Sequence, residues 1–222
     1  MDFGHIIQQI IISIVPIMLA VILHEVSHGY VAYRLGDPTA KMMGRLTLNP
    51  ISHIDILGTI LMPLVLYVMS DGSFVFGYAK PVPINAYNFK NPKRDMAISA
   101  AAGPVTNIII AMISMLLLKH ILAPLADIAE LSTVTTILNP LALMLRACII
   151  INVVLAVFNM IPIPPLDGGR VLTGMLPYRQ AMALSRIEPY GFMIVILLAV
   201  THIADFFIFP VIKMILRLLY ML

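Results

Sequence analysis

The sequence predicts an all-α polytopic membrane protein with about five to six membrane helices and a small β or re-entrant element between them. Of its 222 residues, 60% are hydrophobic and 11% are charged, and the mean hydropathy of +0.98 is far above that of an ordinary soluble domain. Several uncharged stretches also approach or exceed the roughly 18 to 20 apolar residues that span a bilayer core. We therefore expect one domain over 1–222, with its core at about 15–175 and C-terminal membrane helices at about 189–222.

Six apolar stretches are the candidate membrane helices. The three longest, which contain no charged side chain, lie at 6–23, 96–118 and 147–166. Shorter candidates lie at 54–69, 131–145 and 189–204, and the last continues through 206–222 with a break at Pro210. The stretch 54–69 is interrupted by Gly58 and Pro63. We expect it to be re-entrant or shallow instead of a full crossing.

Between 71 and 91 the composition changes to aromatic, β-branched, glycine and proline residues. This pattern is typical of extended chain with turns and predicts short strands. Strand backbone inside a bilayer is tolerated only where protein or a watery cavity satisfies its polar groups. We therefore expect this segment to line a cavity or lie at the interface, where a free edge could pair with an extended peptide.

The basic residues are spread thinly between the apolar stretches, so the net charge of +3 does not indicate a nucleic-acid partner. Lys and Arg number three in 34–45, four in 80–94 and three in 170–186, whereas 119–140 has only Lys119. The positive-inside rule then places the first three regions in the cytoplasm and the last one outside. The chemistry is expected near the cytoplasmic face.

The end of the first apolar stretch carries His24-Glu25-x-x-His28. On a helix, histidines at i and i+4 project from one face and can share a metal ion. Zinc suits this arrangement, and Glu25 lies where it can accept a proton from the attacking water. The alternative is capping or interhelical hydrogen bonding without metal, but an unpaired cluster of this kind in an apolar helix would carry a desolvation cost.

Two histidines leave zinc one protein ligand short, since catalytic zinc normally has three. The segment 159–170 ends the uncharged stretch 147–166 with prolines and then presents Asp167, followed by Gly168 and Gly169. The prolines end the helix and the glycines allow a sharp turn. Asp167 is therefore the predicted third ligand, and the alternative is an ordinary N-cap for a helix that starts near Gly168.

Together these motifs resemble a known family. They are His24-Glu25-x-x-His28-Gly29, Ala102-Gly103-Pro104-x-x-Asn107, the segment 159–169, Leu48-Asn49-Pro50-x-x-His53-Ile54-Asp55 and Ala79-Lys80-Pro81-Val82-Pro83-x-Asn85. The set is similar to the site-2 proteases, which are intramembrane zinc metalloproteases, and the last two motifs resemble their compact bacterial branch. The likeness covers roughly residues 15–175.

The resemblance implies one Zn²⁺ per chain, with Asp167 in the position of the family's aspartate ligand. It also implies regulated cleavage of the transmembrane or membrane-proximal segments of other proteins. The expected partners are a transmembrane protein substrate and membrane lipid, in a prokaryotic cytoplasmic membrane, with the oligomeric state left open.

Three further polar residues are weaker candidates. Asn159 and Asn107 are interpreted as amides that position substrate or the oxyanion, although Asn159 is nearly as well explained by helix packing. His53 is a candidate for a supporting contact to the metal ligands, with structural hydrogen bonding favoured.

The main rival function is a non-enzymatic metal-binding membrane protein or a metal transporter that uses His24, His28 and Asp167 as its site. Glu25 distinguishes the two, because transport or structural binding has no special need for that carboxylate.

Overall fold

The computed structural model describes residues 3–69, 77–201 and 203–222, and within these ranges the chain is helical without a strand. The helices are α1 (Phe3–Arg34), α2 (Ile56–Met69), α3 (Pro92–Ile128), α4 (Leu131–Asn159), α5 (Asp167–Met175), α6 (Tyr178–Ser185), α7 (Glu188–Val200) and α8 (Ile203–Met221). Short helical turns lie at Thr39–Met42, Pro50–His53 and Ala86–Asn88. Short π-helical stretches interrupt α3 and α4 and open α2.

Three helices of the described chain are long and apolar enough to cross a membrane. They are α3, α4 and the Ile12–Arg34 part of α1. The pair α6 and α7, bent by 45°, raises the number to four if it forms one span. Helix α2 is apolar but shorter than a span. The expected five to six membrane helices are therefore not confirmed, because the stretches 131–145 and 147–166 join in the single helix α4 and α2 is shorter than a span.

Large apolar side chains cover the outside of these helices. Ile113 on α3 is 52% exposed and Ile150 on α4 is 50% exposed. In water such a surface would be costly, whereas lipid tails solvate it. The exposure of these side chains agrees with a membrane-embedded bundle.

Helix α3 lies at the centre of the bundle, where it packs against α1, α4 and α5. Small buried residues line these interfaces, including Ala20 on α1, Ala100 and Ala111 on α3, and Ala156 on α4. Small residues let membrane helices approach closely, which compensates for the lack of a hydrophobic driving force in lipid. Close approach brings polar groups of α3 within reach of α1.

Farther along α3, an apolar core joins α3, α4 and α8. Its buried members are Ala111, Met115, Ile149, Val153, Ile212 and Leu219. This core fixes the helices relative to one another, and the polar groups of the bundle lie nearer the other end of α3.

The predicted strands between 71 and 91 are not confirmed. The described part of this region, from residue 77 onward, contains an extended segment, 77–85, and a helical turn but no strand, and residues 71–76 lie outside the described residues. The backbone of segment 77–85 bonds to helical residues instead: Tyr78 N–H donates to Gly58 O in the first turn of α2, and Lys80 N–H donates to His53 O in the turn Pro50–His53, each at 3.0 Å.

Candidate metal centre

Helices α1 and α5 bring together the three predicted ligands. The Nε2 atoms of His24 and His28 lie 3.0 Å apart, and Asp167 Oδ2 lies 3.2 Å from the first and 3.3 Å from the second. All three residues are buried. The ligand atoms that the group can offer lie within 4.8 Å of one another, so a single metal ion can reach all of them.

The other ring nitrogen of each histidine is held by α3. His28 Nδ1 lies 2.7 Å from the backbone oxygen of Ser99, and His24 Nδ1 lies 2.5 Å from Asn107 Oδ1. A carbonyl oxygen only accepts hydrogen bonds, so both Nδ1 atoms act as donors and carry the proton. Both Nε2 atoms then present lone pairs, as metal-ligating histidines do.

These residues fit a zinc ion. Two Nε2 lone pairs and one carboxylate oxygen face each other, and Asp167 Oδ2 is buried without a hydrogen-bond partner among the described residues. Such an arrangement is repulsive unless a cation lies between the three atoms. Two histidines and one carboxylate are also a typical donor set for catalytic zinc.

The charge of Asp167 suits this role. Burial by itself raises the pKa of Asp167, but when the His24 and His28 rings are protonated, their hydrogen bonds and positive charge lower it to about 2. The carboxyl group is therefore ionised at neutral pH and can act as a ligand.

Two close approaches of backbone shape the site. A Cβ on Gly103 of α3 would lie 2.4 Å from His28 Nε2 and 2.6 Å from His24 Cε1. A Cβ on Gly168 would lie 2.2 Å from the backbone oxygen of Met160, where the chain after α4 folds back on the start of α5. Glycine at these two positions lets the histidine rings and Asp167 reach the same point.

Glu25 is partly buried and contacts the extended segment 77–85. The backbone N–H of Val82 donates to Glu25 Oε2 at 2.8 Å. Val82 also packs over the α1 backbone, since its Cγ1 would lie 2.6 Å from a Cβ on Gly29. The segment therefore fixes the orientation of the Glu25 carboxylate next to the first histidine.

The weaker candidates occupy different places. Asn107 is fully buried behind the His24 ring. Asn159, at the end of α4, donates from Nδ2 to Leu155 O of its own helix at 3.0 Å. His53 is buried and donates from Nε2 to Thr47 O at 2.8 Å, and the structure records no contact between His53 and the three clustered ligands in the described chain.

Sequence reasoning missed three groups that complete the site: the Ser99 carbonyl, the Val82 N–H and the side chain of Asn152. Asn152 on α4 is fully buried and bonds to Asn107. A search of apolar stretches for amides as well as ionisable residues would have found Asn152. The two backbone groups give no sequence signal, because every non-proline residue carries them.

A buried pair of histidines with an aspartate, carried by membrane-length helices next to a glutamate, defines a membrane metallohydrolase. Residues 12–202 match Peptidase family M50, and the chain belongs to this family. The resemblance to bacterial site-2 proteases is thereby confirmed. The chain is a zinc metalloprotease and an integral membrane protein of bacteria.

Relatives extend over most of the chain. A protein of Bacillus subtilis (strain 168) named as the zinc metalloprotease YwhC is 36% identical over 200 residues, which are 90% of this chain and 85% of the relative. The zinc metalloprotease Rip2 of Mycolicibacterium smegmatis is 25% identical over 189 residues, 83% of this chain and 64% of the relative. Rip2 of Mycobacterium tuberculosis (strain H37Rv) is 25% identical over 197 residues, 86% and 68% respectively. No solved structure matches the chain.

Proposed function

We propose that the chain is an intramembrane zinc endopeptidase that hydrolyses peptide bonds in or near the transmembrane segments of other proteins. In this proposal His24, His28 and Asp167 hold one zinc ion, Glu25 is the catalytic base, and 1–222 acts as a single protease domain. The observation that carries it is the convergence of three buried ligand atoms within 4.8 Å beside membrane-length helices.

Zinc supplies two effects when it is bound: it lowers the pKa of a coordinated water molecule towards neutrality and polarises the scissile carbonyl. Glu25 takes a proton from the attacking water and then delivers it to the departing amine. Because Glu25 Oε2 accepts the Val82 N–H, we assign the proton transfer to Oε1. The segment 77–85 thus orients the base during both steps.

An apolar cavity in the bundle supports this substrate class. A cavity of about 810 Å³ lies between α3, α4 and α8, and its lining is almost entirely apolar. Its lining includes Ala101 and Pro104 on α3 and the stretch 160–163 that precedes Asp167, and it contains none of the three proposed ligands. An apolar segment of a substrate fits this environment. A peptide bond in an intact helix is poorly accessible, so we expect substrates with helix-breaking residues near the cleaved bond.

The charges at its end of the bundle support a site on the cytoplasmic side. Arg34 ends α1, Lys93 and Arg94 lie at the start of α3, and Arg170 follows Asp167 on α5. The Lys93 ammonium also donates to the backbone oxygen of Leu176, which joins α3 to the end of α5. Basic residues of membrane proteins are enriched on the cytoplasmic side.

The test compares purified wild type with Glu25→Gln for zinc content and for cleavage of a panel of transmembrane peptides in liposomes. Removing a general base typically slows the reaction about 100- to 10,000-fold, so Glu25→Gln should retain zinc and lose cleavage. Glu188→Gln is the matched control, since Glu188 is half-exposed and pairs only loosely with Arg170 at 3.9 Å. Equal cleavage by wild type and Glu25→Gln would overturn the role of Glu25. Zinc binding without cleavage by either protein would favour the non-enzymatic metal-binding function.

A further inference from the structure

A chain of buried amides extends from the metal centre into the bundle and crosses three helices. His24 on α1 bonds to Asn107 on α3, and Asn107 Nδ2 lies 2.7 Å from Asn152 Oδ1 on α4. Asn152 Nδ2 in turn donates to the backbone oxygen of Cys148, one turn earlier on α4, at 2.8 Å. Both asparagines are fully buried. In a bilayer, amides in such positions need partners and are costly without them.

The direction of hydrogen-bond donation along these amides is determined at Cys148, the end farthest from the metal centre. The Cys148 oxygen belongs to the backbone and only accepts, so the NH₂ group of Asn152 must face it. Asn152 Oδ1 then faces Asn107, which must donate through Nδ2. Asn107 Oδ1 is left to face His24, and His24 Nδ1 must be the donor.

A second backbone carbonyl supports the same direction. Asn107 Nδ2 also lies 3.4 Å from Ala20 O on α1. If the Asn107 amide were reversed, its Oδ1 would face two acceptors, Asn152 Oδ1 and Ala20 O, and its NH₂ group would face His24 Nδ1. His24 would then carry its proton on Nε2, where it would block metal binding.

We propose that Asn152 is a positioning residue for the metal centre, because with Asn107 it forms a one-way hydrogen-bond chain that keeps the proton of His24 on Nδ1. The proposal rests on the zinc ligands assigned above. His28 needs no such chain, since its Nδ1 donates directly to the Ser99 backbone oxygen. The two histidines therefore differ in what holds them: a backbone atom holds His28, and two replaceable side chains hold His24.

The experiment measures zinc affinity of the full-length protein in detergent by competition with a chromophoric chelator. Partners of metal-ligating histidines typically contribute about 10- to 100-fold in metal affinity. We expect Asn152→Leu, which has nearly the same shape and cannot accept a hydrogen bond, to weaken zinc binding by about tenfold. Ser114→Ala is the matched control, since Ser114 is a buried polar residue two turns after Asn107 on α3 and has no recorded contact with the chain of amides.

A conservative variant separates positioning from a merely structural role. In a buried site Asn152→Asp is protonated, so its O–H can donate to Cys148 O and its C=O can accept from Asn107. Asn152→Asp should therefore bind zinc more tightly than Asn152→Leu. Peptide cleavage by Asn152→Leu should return towards the wild-type rate when zinc is saturating, which a misfolded protein would not show.

Wild-type zinc affinity in folded Asn152→Leu would overturn the proposal, and so would equal losses in Asn152→Asp and Asn152→Leu. Should Asn152→Leu fail to fold, Asn152→Thr and Asn152→Val give the same comparison, because they have equal shapes and differ in one hydroxyl group. The proposal then requires tighter zinc binding by Asn152→Thr. Zinc affinity is independent of cleavage, so failure of this proposal is distinct from failure of the peptidase assignment.

Discussion

The metal centre and the extended segment 77–85 meet at Glu25 but are held by different kinds of contact. In the metal centre, buried side chains are aligned by a few specific bonds to α3. In segment 77–85, backbone groups bond to scattered partners: Gly58, His53, the Arg45 guanidinium and Glu25 itself. The metal centre therefore depends on close packing of α3 against α1, whereas the segment depends on separate backbone hydrogen bonds to several elements. Metal binding and orientation of the base should be separable by mutation.

The largest effect is expected from Gly103→Ala, which should weaken zinc binding at the metal centre. The new Cβ would lie 2.4 Å from His28 Nε2 and 2.6 Å from His24 Cε1, and neither ring can move away without losing its Nδ1 hydrogen bond. We expect zinc affinity to fall by at least about 10- to 100-fold, the range seen when histidine orientation is disturbed. Chelator competition measures it. Ile113→Ala, at a lipid-exposed position of α3, should bind zinc normally, and normal binding by Gly103→Ala would refute the packing argument.

A moderate effect on cleavage, through segment 77–85, is expected from Arg45→Ala. The Arg45 guanidinium donates to Lys80 O at 2.8 Å and to Pro81 O at 3.4 Å. Leaving such carbonyls unpaired costs about 1 to 3 kcal/mol, so the segment should shift and carry the Val82 N–H away from Glu25. We expect cleavage to fall by about tenfold, which corresponds to about 1.4 kcal/mol in the barrier, while zinc content stays at the wild-type level.

Lys41→Ala is the control for this variant, since it removes a nearby positive charge that contacts Tyr33 and not segment 77–85. Loss of zinc by Arg45→Ala would show that the two regions are coupled and would contradict their separation.

The smallest effect is expected from Asp37→Asn, at the far end of the segment. Asp37 accepts hydrogen bonds from the backbone of Asn85, the side chain of Asn88, and both the backbone and the hydroxyl group of Thr39. Losing the charge weakens these bonds, at a cost of about 1 to 2 kcal/mol. The melting temperature at neutral pH should therefore fall by a few degrees, with little change in zinc content.

The same variant predicts a pH dependence. Burial raises the pKa of Asp37, but the hydrogen bonds from Asn88, Thr39 and Asn85 outweigh burial and lower it below the ordinary 3.8. A carboxyl group whose pKa is lowered in the folded state stabilises the fold at pH values above its ordinary pKa. This contribution is lost as the pH falls through the folded-state pKa. The difference in melting temperature between wild type and Asp37→Asn should thus shrink in acid. Asp127→Asn, at an exposed carboxylate, should show no such convergence.

The span count and the β element could not be read from apolar length and composition. Pro81 and Pro83 lack a backbone N–H, which weakens any strand ladder along segment 77–85. The segment bonds to Gly58, His53 and Glu25 instead. In the C-terminal part, apolar length alone does not show that α6 and α7 bend at their junction. Strand pairing and helix bending both depend on neighbours that composition does not identify.

The sequence by itself determined the membrane class and the residues proposed as metal ligands. Apolar length is a local property, and the i and i+4 spacing of His24 and His28 places both on one face of any helix. Only the tertiary structure decided what orients these residues. His28 meets Ser99 across a separation of 71 residues, His24 meets Asn107 across 83, and Glu25 meets Val82 across 57. Contacts over such separations arise from helix packing, which no local pattern in the chain specifies.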